Sequence, residues 1–80
     1  MPRYYFHVID GREIIDHEGI ELPGLGEARA EAIQTAGAIL RDEGEKFWNG
    51  TEWHMNVTDA AGQPVLKLRF SAEDQSGTMR

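Results

Sequence analysis

The chain has 80 residues, 40% of them hydrophobic, and a formal net charge of −6. That length suits one small domain with a limited core, and the regular apolar patterning argues against a disordered chain. The lack of cysteine excludes disulfides, thiolate metal sites and cysteine nucleophiles, while the acidic balance works against binding to nucleic acid or anionic membranes.

Residues 3–9 alternate as a strand, with Tyr4, Phe6 and Val8 on one side and Tyr5 and His7 on the other. No charged leader with an apolar run precedes this strand, and no stretch is long enough to span a bilayer. A cytoplasmic, non-membrane location is therefore expected. Asp10-Gly11 is a hairpin-turn pair, and residues 13–16 return as a short second strand. Two registers stay open here. A two-residue loop sets Ile9 opposite Arg12, and a four-residue loop sets it opposite Ile14, so the choice decides which side of the second strand is buried.

Residues 17–24, HEGIELPG, read as an extended link punctuated by Gly19 and Pro23-Gly24. The spacing then predicts a helix over 25–43. Leu25, Ala28, Ala32, Ile33, Ala36, Ile39 and Leu40 form its apolar stripe, and Gly44 is its expected stop. A third strand is predicted over 52–59, where Trp53, Met55 and Val57 alternate with His54, Asn56 and Thr58. Gly62 supplies the left-handed residue of the next turn. A fourth strand follows over 64–71, with Leu66, Leu68 and Phe70 on one side and Lys67 and Arg69 on the other. Residues 74–80 are expected to be a disordered tail, leaving one domain over 1–73.

The β-β-α-β-β order predicts an α+β fold, a four-stranded antiparallel sheet in the order 2-1-3-4 with one helix on one face. The expected core is Tyr4, Phe6, Val8, Ile33, Ala36, Leu40, Trp53, Met55, Val57, Leu66, Leu68 and Phe70.

Four stretches of this chain, MPRYYFHVIDG, DHEGIELPGL, EARAEAI and VTDAAGQPVLKLRFS, resemble a family of small bacterial proteins typical of rhizobia and their relatives, classed as a domain of unknown function. The similarity runs to about Ser71. Such proteins carry an acidic residue just before the helix, where this chain has Gly24, and KFWNGTEW is richer in aromatics than is usual among them. The resemblance implies a shared fold and a bacterial cytosolic setting. It implies no catalytic residue and no ligand.

Chemistry-bearing patterns are sparse. His7, His17 and His54 are the only imidazoles. Two histidines on neighbouring strands are a poor metal site, and Asp16, His17 and Glu18 are adjacent residues of an extended segment whose side chains point apart. No nucleophile elbow or zincin motif is present. Gly24-Leu25-Gly26 is a capping turn among acidic residues before it is a phosphate cradle. No cofactor and no catalytic activity are expected. Two Asn-x-Thr triplets, at Asn49 and Asn56, are chance matches without a secretory route.

What remains is the outer sheet face, where Tyr5, His7, His54, Lys67 and Arg69 are expected to gather, with His7 near His54. A plain solvated surface accounts for such a row as well as a binding face does. One tyrosine is too few for a base-stacking platform, so nucleic acid is an unlikely partner. The leading functional expectation is a non-enzymatic protein-interaction module whose partner is another protein or a second copy. The alternative is a binder of a small anionic ligand or nucleic acid on the outer face. Phe47 and Trp48 are the apolar surplus that suggests self-association.

Overall fold

The computed structural model describes residues 1–45 and 52–72. The strands are β1 (Arg3–Ile9), β2 (Glu13–Ile14), β3 (Ile20–Glu21), β4 (Trp53–Thr58) and β5 (Pro64–Phe70), and helix α1 is Leu25–Glu43. All strand pairs are antiparallel, in the order β2-β1-β4-β5, with the short β3 paired to β1 as well. The architecture is the expected α+β sheet and helix, with the predicted order, plus one added strand within the segment read as a link.

The core is narrow. Ala28, Ala32 and Ala36 lie one helical turn apart and are buried to 0–1% exposure. They face Trp53, Met55 and Val57, the alternate residues of the central strand β4, which are equally buried. The methyl group of alanine is too small to hold the helix off, so α1 settles closely over β4. Tyr4 of β1, 7% exposed, completes the buried set, and Phe6, Val8, Leu40, Leu66, Leu68 and Phe70 pack around it while partly exposed.

Two stripe assignments are corrected. Ile33 is 60% exposed and Leu25 is 41% exposed. Ile33 sits about 100° round the helix from Ala32, and a helix that lies over a single strand buries only the stripe facing it. Ala32→Leu is expected to overpack this contact and cost roughly 1–3 kcal/mol, whereas Ile33→Ala should change stability by less than about 0.5 kcal/mol. Urea unfolding of the two variants checks the pair.

The turns differ from expectation in physical detail. The first hairpin pairs Val8 with Ile14 and Ile9 with Glu13, so neither anticipated register occurs. Asp10, Gly11 and Arg12 form a three-residue loop, closed by the Asp10 amide donating to the Arg12 carbonyl at 3.0 Å, with Gly11 at φ +87°. Gly44 is the C-cap at which α1 stops, as expected, with a right-handed φ of −60° rather than a left-handed one. The β4–β5 turn does use Gly62 at φ +84°. There Asp59 Oδ1 accepts from the amides of Ala61 and Gln63, both at 2.9 Å. A bulge between Val57 and Thr58 shifts the β4–β5 register at that end. The aromatic pair Phe47 and Trp48, and the tail over 74–80, lie outside the described residues.

Candidate functional site on the outer sheet face

The face away from α1 is built by strand alternation. Register puts His7, Asn56 and Lys67 in one row across β1, β4 and β5, and Ile9, His54 and Arg69 in the next. Tyr5 lies on β1 two residues from His7, with near-parallel rings (4° apart) and centroids separated by 6.4 Å. All five expected residues therefore share the outer face. His7 and His54 are diagonal neighbours, because Asn56 stands opposite His7. A groove of about 670 Å³ crosses this face between Glu13 and Ile15 at one end and Pro64 to Lys67 at the other. His7, Asn56 and Thr58 line its floor. Tyr5, His54 and Arg69 lie outside it.

The side chain that organises the β1 side of this face is Asp16. Strands β2 and β3 pair with opposite ends of β1, at Val8–Ile9 and at Arg3–Tyr4. Between them, on the edge of β1 away from β4, no strand meets β1. Asp16 fills the gap: Oδ2 accepts from the Phe6 amide at 3.0 Å, and Oδ1 accepts from the amides of Glu18 and Gly19, both at 3.1 Å. Burial tends to raise its pKa. The three backbone donors and the nearby His7 ring outweigh that, and the carboxyl sits below its ordinary value.

The Asp16 amide in turn donates to His7 Nδ1 at 3.1 Å. The ring's hydrogen therefore belongs on Nε2, which lies 3.3 Å from Thr58 Oγ1. Gly19 closes the arch at φ +70°, so close to β1 that an added Cβ would stand 2.8 Å from the Tyr4 carbonyl oxygen. Arg3 holds the outside of the arch, donating to the Glu18 carbonyl and pairing with Glu21 at 3.3 Å.

Sequence reasoning missed Asp16 and Glu52. An Asp three residues before a Gly is an Asx-turn signal, and it was legible, but nothing in the sequence said that the turn would lie against β1. Glu52 accepts from His54 Nε2 at 3.1 Å, so an acid, rather than the cations of β5 alone, faces that imidazole. His54 Nδ1 is buried without a partner among the described residues. His17 is exposed. Among the described residues no three His, Cys, Asp or Glu side chains are grouped to hold a metal ion.

Lys67 and Arg69 are exposed, and no acid lies within ion-pair distance of either among the described residues. Elsewhere Arg3 and Arg41 each have an acidic neighbour at 3.3 Å. Arg12 and Arg29 likewise have no ion pair among the described residues, so what sets Lys67 and Arg69 apart is their place on one face of β5 beside the groove.

The model of the family described as "Domain of unknown function (DUF6894)" matches residues 3–71, from the first residue of β1 to just beyond β5. The chain belongs to this family. No curated protein and no solved structure matches it. The family match covers the arch, the groove and β5 together, so the outer face lies wholly within the shared domain. No helix among the described residues is long and apolar enough to cross a membrane.

Proposed function

We propose that this DUF6894 domain is a non-enzymatic protein-interaction module, and that its outer sheet face receives an acidic segment of a partner. The observation that carries this reading is the pair Lys67 and Arg69, exposed beside the groove and without an ion pair among the described residues. No acid among the described residues stands within ion-pair distance of either, and their alternate spacing on one strand presents two charges on one side. The family resemblance supports a bacterial, cytosolic setting. A second reading places a small anionic ligand in the groove, since His7 Nε2, Thr58, Asn56 and Lys67 converge on its floor and rim.

Titration of the ¹⁵N-labelled protein with an acidic peptide, inorganic phosphate and a short RNA separates the readings. The acidic peptide is expected to shift β4 and β5 amides, with affinity falling as salt rises. Lys67→Glu with Arg69→Glu should abolish those shifts and leave the fold intact, because both side chains are exposed. Shifts with phosphate alone, confined to His7, Asn56 and Thr58, would favour the small ligand. Light scattering of the free protein distinguishes a foreign partner from a homodimer.

A further inference from the structure

Strand β5 is an edge. Among the described residues it pairs only with β4. Pro64 stands at its first position, and the run from Val65 to Phe70 contains no proline to blunt it. Alternate residues of that run turn their N–H and C=O groups away from β4. Its inner side is also incompletely covered. The helix lies over β4, and Leu66, Leu68 and Phe70 remain partly exposed beside it. The edge therefore offers three things in register: unpaired backbone groups, an apolar strip on the inner side and two cations on the outer side.

A second copy of β5 does not fit this edge. Antiparallel self-pairing with both outer faces on one side sets Lys67 and Arg69 opposite or diagonal to the same cations, which repel, and the flipped pairing sets them against the apolar Leu66, Leu68 and Phe70, which offer no counter-charge. The complementary occupant is an extended segment with acidic residues at alternate positions and apolar residues between them. The acids would meet Lys67 and Arg69, and the apolar residues would extend the strip formed by Leu66, Leu68 and Phe70.

We infer that β5 is a strand-addition site for such a segment, so that the partner becomes the outermost strand of the sheet. This rests on the reading of the outer face given above and specifies how the partner binds. Lysine on an edge also deters unwanted pairing. Here the same charges would select an acidic strand while rejecting a second copy.

The test uses the ¹⁵N-labelled chain and acetylated peptides of alternating glutamate and valine, alternating lysine and valine, and glutamate alone. The glutamate–valine peptide is expected to bind, to slow hydrogen exchange at alternate β5 amides, and to bind at least tenfold more tightly than the other two. Lys67→Glu with Arg69→Glu should weaken it at least tenfold and admit the lysine–valine peptide. Lys67→Gln with Arg69→Gln serves if the charge-reversed chain does not fold, and should weaken glutamate–valine binding without admitting lysine. Charge-dependent binding that leaves β5 exchange unchanged would overturn strand addition while the outer-face reading stands. No binding of either acidic peptide would overturn both.

Discussion

Gly19→Ala is expected to cost roughly 2–4 kcal/mol of stability. Two independent effects add at this position. The backbone sits at φ +70°, where an L side chain is strained. The new Cβ would also stand 2.8 Å from the Tyr4 carbonyl oxygen and 2.9 Å from carbons of the Arg3 and Tyr5 side chains. The side chains can swing away, but the carbonyl is held in the β1 ladder. Relief requires lifting the arch, which moves the Asp16 carboxylate off the Phe6 amide. A domain of this size has only about 4–12 kcal/mol in total, so the midpoint of thermal unfolding should fall by more than about 10 °C. Gly11→Ala is the control. Gly11 has φ +87° with open space around its Cβ position, so only the left-handed penalty of about 1–2 kcal/mol applies. Thermal unfolding of both variants separates steric approach from backbone strain, and equal losses would show that the arch does not press on β1.

Asp16→Ala is the second large effect, expected at roughly 2–4 kcal/mol. It deprives three backbone amides of their acceptor, and the Phe6 amide, part-buried in the middle of β1, has no other strand to turn to. The substitution should also loosen the His7 ring, because the Asp16 amide that donates to Nδ1 is positioned by the same arch. Loss of arch geometry is therefore expected to change the ¹⁵N shifts of the His7 ring as well as stability.

The pH dependence has a definite sign. Asp16 has a folded-state pKa below its ordinary value. Its contribution is present in full above the unfolded-state pKa and is lost as pH falls through the lowered folded-state value. Wild-type stability should therefore drop across the acid range below about pH 4. Asp16→Asn keeps one acceptor oxygen and no titratable group, so it should be less stable at neutral pH and flatter over that window. Denaturant unfolding from neutral pH to pH 2 reads both, and parallel profiles for the two proteins would remove Asp16 from the account.

The strands and helix were legible because each follows a local period. The alternation of Trp53, Met55 and Val57 with His54, Asn56 and Thr58 admits little besides a half-buried strand. The bounds 3–9 and 25–43 agree with β1 and α1. The outer-face set was legible for the same reason. Once Tyr4 and Phe6 are inside, Tyr5 and His7 must be outside, and the same holds for Lys67 and Arg69 beside Leu66 and Leu68.

What the sequence by itself determined is thus a set of periods and faces: β1, α1, β4 and β5, the sheet order they imply, and the side on which each polar residue lies. Tertiary structure decided what depends on approach between segments distant in the chain. Helical periodicity offered α1 a broad apolar stripe, and its seat over β4 chose Ala28, Ala32 and Ala36 and left Ile33 in water. The hairpin register fell between the two local possibilities, with a three-residue loop. The Asx turn of Asp16 with Glu18 and Gly19 was legible locally, but its bond to β1 was not. Its carboxylate takes a hydrogen bond from an amide ten residues earlier, and that amide lacks a strand partner only because β2 and β3 stop short on either side of it. Periodicity is a property of neighbours along the chain, and hydrogen-bond satisfaction is a property of neighbours in space.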